Sequence, residues 1–212
     1  YYYEYLYNNG INYYFCAIYI EETASPATTV TYSFIEGALA GIVTANIKLD
    51  HPIENNYFFG NFYGVGEYGT RNTDITNNLC YFNYTAGIDV HLGDRNGVGD
   101  ADSVITISNN TCDIYQDYGI RVHGVENEAD AGYAIISNNI VSGSVWGGLY
   151  LVGRMYFTIA NTGYYGNAAD RIGYEESQES NPVYETEMPY VDGTGILSYW
   201  YLSPNSAFVN AS

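Results

Sequence analysis

Ile107-Ser108-Asn109-Asn110, followed by Gly119-Ile120-Arg121-Val122, decides the fold because it recurs along the chain. Ile75-Thr76-Asn77-Asn78 leads to Gly87-Ile88-Asp89-Val90, and Ile136-Ser137-Asn138-Asn139 leads to Gly148-Leu149-Tyr150-Leu151. Ile53-Glu54-Asn55-Asn56 precedes Gly64-Val65, and Val30-Thr31-Tyr32-Ser33 precedes Gly41-Ile42-Val43 with Tyr-Ser in place of the Asn pair. Degenerate copies stand at the two ends, Tyr7-Asn8-Asn9 with Ala17-Ile18-Tyr19-Ile20 and Ile159-Ala160-Asn161 with Ala169-Asp170-Arg171-Ile172. The unit is roughly 22 residues, a period that marks a solenoid. It lengthens twice, each time just after a Gly-Ile strand, at 93–102 and 124–132.

The solenoid is all-β. Ile88 and Val90 flank Asp89, Ile120 and Val122 flank Arg121, and Leu149 and Leu151 flank Tyr150. That period of two is the signature of strands, and no stretch carries a helical period. Gly and Asn punctuate every few residues, as turns with positive φ require. Stacked at the parallel-strand spacing, the Asn pairs fall above one another at one bend. There an internal Asn can satisfy the turn amide of the neighbouring coil. The reading is a single-stranded parallel β-helix of about seven coils over residues 1–175, with 176–212 as an irregular closing segment packed on it.

Composition narrows the function. The chain carries 24 acidic against 6 basic residues, a formal charge of −18. Such a balance argues against nucleic acid or anionic polysaccharide held on a broad basic patch. No apolar run is long enough to cross a membrane as a helix. Tyr is the main anomaly, with 26 residues, and suits both rung-to-rung stacks and interfaces. Tyr1, Tyr2, Tyr3, Tyr5 and Tyr7 cluster where the first coil begins. Bare strand ends there would expect a second copy or an adjoining part of a longer chain.

The repeat resembles that of the right-handed parallel β-helix family of pectate-lyase-like and copper-maturation periplasmic proteins, found in bacterial and archaeal surface proteins. The resemblance covers about residues 5–175 and implies a right-handed helix. Asn181-Pro182-Val183-Tyr184, Asp192-Gly193 and Trp200-Tyr201-Leu202-Ser203-Pro204-Asn205-Ser206-Ala207-Phe208 resemble the closing segment of such proteins, without its second Pro and final Asp. One such scaffold hosts lyases, epimerases, binders and structural proteins, so function rests on the site.

Stacking the Gly-Ile strands predicts two outward columns. One is Val43, Gly66, Asp89, Arg121, Tyr150, and the next is Ala45, Tyr68, His91, His123, Val152. Asp89, His91, Arg121 and His123 are thereby the candidate catalytic group. Gly87-Ile88-Asp89-Val90-His91 is similar to the Gly-Phe-Asp-Pro-His core of mannuronan epimerases, with Ala86 where that pattern has Tyr and His123 where it has Asp. The resemblance implies a uronate lyase or epimerase groove; in a lyase-like scheme Arg121 would be the base.

A second site class is Ca²⁺ in the insertions. Asp94, Asn96, Asp100 and Asp102 lie in one, and Glu126, Glu128 and Asp130 in the other. Dense oxygen ligands suit that ion, although Ile105 at the twelfth position excludes an EF-hand. Cys80 and Cys112 share a column with Phe58 and Val141, as a buried thiol stack or a disulfide. Cys16 is left over, as a lone thiol or an intermolecular link. Of the sequons at Asn83, Asn109 and Asn210, the second is expected inside the ladder and the other two accessible.

Two function classes follow. One is an extracellular structural protein, self-assembling into a surface layer, sheath or fibre of the cell envelope through its strand ends and Tyr-rich faces. The other is a polysaccharide-active enzyme or glycan-binding domain using the Asp89/Arg121/His91/His123 face.

Overall fold

The computed structural model describes residues 16–21, 28–45, 52–69, 72–93, 99–113 and 117–186, with Ser206 and Phe208. It is a parallel β-helix: three sheets of seven strands each, every pairing within them parallel. Sheet A holds Cys16–Glu21, Ala40–Ala45, Tyr63–Tyr68, Ala86–His91, Tyr118–His123, Gly147–Val152 and Arg171–Ile172. Sheet B runs from Val30–Thr31 to Glu179–Ser180, and sheet C from Phe34–Glu36 to Val183–Glu185. The ladder thus continues past residue 175, through two strands of the segment expected to close it irregularly.

Alternation within each strand builds the core. Sheet A sends Ile42, Val65, Ile88, Ile120 and Leu149 inward in one register column. Sheet B adds Val30, Ile53, Ile75, Ile107, Ile136 and Ile159. Sheet C adds Ile35, Phe58, Cys80, Cys112, Val141 and Tyr164. These three columns meet as one apolar cluster. The Cys80 and Cys112 thiols stack there unbridged. Their mutual hydrogen bond, and then burial, push the Cys112 thiol well up.

The Asn pair divides its labour. The second Asn is internal: the Oδ1 atoms of Asn78, Asn110 and Asn139 accept the backbone N–H of Asn56, Asn78 and Asn110 at 3.0, 2.9 and 3.0 Å. Each side-chain amide in turn donates to a strand carbonyl, Asn110 to Ile75 and Asn139 to Ile107. The first Asn takes positive φ at Asn55, Asn77, Asn109, Asn138, Asn161 and Asn181. Asn109 is therefore exposed, contrary to expectation, because the turn needs a left-handed residue at that position and it points out. Asn83 is the reverse. It is fully buried and belongs to a second ladder, with Oδ1 accepting from Asn61 N–H at 3.0 Å and its amide donating to Phe58. It offers no acceptor for a glycan, and Asn210 lies outside the described residues.

The marker Gly has a steric reason. At Gly41 and Gly64 a Cβ would come within 2.5 Å of the next coil's Gly carbonyl, and at Gly119 it would strike Val141. In these coils the start of the sheet A strand runs too close to the next coil for a side chain.

Candidate functional site

The candidate site stands on the outer face of sheet A. Ile88 and Val90 point inward, so Asp89 and His91 of Ala86–His91 point out. Arg121 and His123 of Tyr118–His123 pair with them in register, as the stacked columns require. Gly66 and Tyr68 continue the columns on one side, Tyr150 and Val152 on the other.

Facing out does not leave Asp89 accessible. Its side chain is completely buried under its neighbours. Arg121 donates to both oxygens, Nε to Oδ1 at 2.8 Å and Nη2 to Oδ2 at 2.7 Å, and Nη2 also reaches the Tyr63 hydroxyl at 3.2 Å. The guanidinium lies between the rings of Tyr63 and Tyr118, 5.6 and 5.5 Å from their centroids. His91 and His123 lie parallel, centroids 4.1 Å apart, with Tyr68 stacked on His91 at 4.7 Å and Tyr150 edge-on to His123 at 6.2 Å. Nε2 of each imidazole stands 3.5 Å from an Asp89 oxygen.

Electrostatics follow from this packing. Burial alone would raise the Asp89 carboxyl, but His91, Arg121 and His123 outweigh it and hold the group well below the usual carboxylate range. Burial opposes the Arg121 charge as well, yet Asp89 and Tyr63 raise its pKa. His123 is held below the ordinary imidazole value by burial, with His91 and Arg121 adding to it against the pull of Asp89. A base must release a proton or offer an open lone pair near neutral pH. Arg121 is held as a cation, and Asp89 is a shielded anion near neutral pH. Neither of these two groups is then an open proton acceptor.

The insertions are described only in part. Asp94 and Asn96 lie outside the described residues. Asp100 turns back to accept the N–H of Asp102, Asp130 accepts from Asn127, and Glu128 stands 3.7 Å from Arg154 in a solvent-exposed pair. Glu126 is exposed as well, and among the described residues of the insertions no three carboxylates gather within ligand reach of one another. The group of metal-ligating side chains that does converge among the described residues is Asp89, His91 and His123, one donor atom from each within 4.8 Å of the others. Tyr1, Tyr2, Tyr3, Tyr5 and Tyr7 also lie outside the described residues. Cys16 is partly exposed in the first strand of sheet A.

Two buried polar clusters were not legible in the sequence. Glu67 falls in the inward column between Thr44 and Val90, where its Oε2 accepts from Thr73 at 3.3 Å. At the last coil Arg171 and Glu179 take the inward positions next to Leu149 and Ile159 and pair at 2.9 Å, with the Tyr164 hydroxyl 3.0 Å from the same carboxylate. Charges at core register positions were the available signal: Glu67 in a regular coil, Arg171 in a degenerate copy and Glu179 in the segment expected to close the helix.

The class that fold and site define is a parallel β-helix bearing an aromatic-framed ionic cluster on one face. No family model, curated protein or solved structure matches the chain. Function is therefore argued from its own residues.

Proposed function

We propose that the chain is a structural protein of the cell exterior whose β-helices associate side to side through Tyr- and Phe-rich faces. The observation that carries this reading is an aromatic patch on the outer face of sheet C. Phe34 packs on Tyr57 at 4.9 Å, Phe59 on Tyr81 at 5.5 Å and on Phe82 at 6.1 Å, and Phe82 on Tyr84 at 6.1 Å. Phe34 is 61% and Tyr84 58% exposed. Tyr57, Phe59, Tyr81 and Phe82 between them are half-buried, and a contiguous, partly exposed run of rings marks an association surface. A second copy is the occupant favoured, because the rings run across neighbouring coils of sheet C and the same patch on another copy offers rings of matching chemistry at the same strand spacing. The formal charge of −18 opposes such contacts, so association belongs to media whose salt or divalent cations screen it. Sedimentation velocity and electron microscopy over rising concentration and ionic strength test the reading. Ordered assemblies, weakened in the double variant Phe34→Ser/Tyr84→Ser, support it. A monomer under every condition overturns it.

A second reading is glycan binding on sheet A, favoured by Trp146. It is 61% exposed and stands edge-on to Tyr118 at 6.1 Å, beside the Tyr118–Tyr150 stack at 4.8 Å. An aromatic shelf next to Arg121 suits a sugar face. Calorimetry with neutral and uronate oligosaccharides tests it, and heats unchanged by Trp146→Ala would discard it.

A further inference from the structure

We propose that Asp89, His91 and His123 form a binding site for one borderline divalent first-row metal ion of the Zn²⁺ type. The three ligands sit on two paired strands, so the backbone fixes their spacing. Asp89 and His91 are two residues apart on one strand face, and His123 is the register partner of His91.

The distances suit a metal better than hydrogen bonds. Each Nε2 stands 3.5 Å from an Asp89 oxygen, beyond the usual reach of an N–H···O bond. Ligand atoms bound at Zn²⁺ distances in a tetrahedral shell are about 3.3–3.4 Å apart. The parallel rings present both nitrogens to the same carboxylate, with all three donor atoms within 4.8 Å of one another, so binding an ion requires the imidazoles to tilt toward each other.

The surroundings supply what such a site needs. Arg121 fixes the carboxylate, and each carboxylate oxygen keeps a further lone pair for an ion, since the group offers roughly four acceptor sites. Tyr68 and Tyr150 hold the two rings. Partners of this kind orient ligands and set affinity. The imidazole side chains are 28% and 26% exposed, yet the His123 Nε2 atom is itself buried and has no hydrogen-bond partner, a polar atom that a bound ion would satisfy. Two imidazoles with one carboxylate select Zn²⁺, Ni²⁺, Co²⁺ or Cu²⁺ over the hard ions Ca²⁺ and Mg²⁺. The nearby guanidinium opposes a second cation, and the strongly acidic chain as a whole attracts one.

The site is independent of the association face on sheet C, so either proposal can fail alone. The test is titration of the chelator-stripped chain with Zn²⁺, followed by calorimetry and by the imidazole NMR signals of its three His. One equivalent should bind, and the signals of two His should shift. Binding should be lost in His91→Ala and in His123→Ala, survive in His51→Ala, and resist excess Ca²⁺. No binding overturns the proposal, as does binding that persists in both His91→Ala and His123→Ala or is displaced by Ca²⁺. The wild-type NMR result decides the matter even where a variant fails to fold, since shifts at fewer than two imidazoles also overturn it.

Discussion

Arg121 grips Asp89 with two arms of its guanidinium, at 2.8 and 2.7 Å, across adjacent coils of the solenoid. The carboxylate is completely buried while the arginine keeps some solvent contact. The two partners are therefore unequal. Arg121→Ala leaves an unpaired charge inside and should cost about 3–5 kcal/mol. Asp89→Ala should cost less, because the freed guanidinium can turn toward water. Urea denaturation of both variants checks the order, and equal costs would contradict it.

Acid should weaken the fold in two stages. The native pKa of His123 is lowered, so the unfolded chain binds the proton more readily and stability falls as pH drops through the ordinary imidazole range, about 6.5. The native Asp89 pKa is also lowered, so its contribution is complete above the unfolded carboxylate value of about 3.9 and is lost as pH falls toward the native one. Melting temperature against pH should show the first loss removed in His123→Ala and the second in Asp89→Asn.

Asn110 is held from both sides of the ladder. Its Oδ1 accepts from the Asn78 N–H at 2.9 Å and the Asn78 amide at 3.1 Å, while its own amide donates to the Ile75 carbonyl at 2.8 Å and the Asn139 Oδ1 at 3.1 Å. Asn110→Ala strands several buried groups, each worth about 1–3 kcal/mol, and should unfold or severely destabilise the chain. Asn109→Ala, one residue earlier, should cost far less, chiefly the strain of a left-handed backbone. Chemical denaturation of the pair tests the contrast.

Tyr32 occupies the left-handed turn position that Asn fills in later coils, with φ of 50° and 84% of its surface exposed. Tyr32→Asn removes strain without removing core packing. It should stabilise by about 0.5–1 kcal/mol, read as a raised melting temperature. A lowered one would mean that the ring has contacts worth more than the strain.

Gly119→Ala drives a methyl into Val141 and toward the Gly148 carbonyl at 2.8 Å. Such overpacking costs about 1–3 kcal/mol. Val141→Ala in the same chain should return part of that loss, since one obstacle is a side chain and the other is backbone. A double-mutant cycle measures the coupling, and strict additivity would refute it.

The sequence by itself determined the solenoid, its coil positions and its register. It could do so because parallel stacking forces equivalent residues into columns, so a repeat in one dimension is a contact map in three. That is why Asp89 could be set beside Arg121, and His91 beside His123, from spacing alone. Only the tertiary structure decided burial and direction. Asp89 proved buried because Arg121, His91 and His123 close around it, and a repeat carries no record of what covers a column. Asn109 and Asn110 read alike in sequence and part company only through the sign of φ. Asp100, Glu128 and Asp130 of the acidic insertions take partners singly, whereas two histidines and an aspartate converge because strands, not loops, hold them.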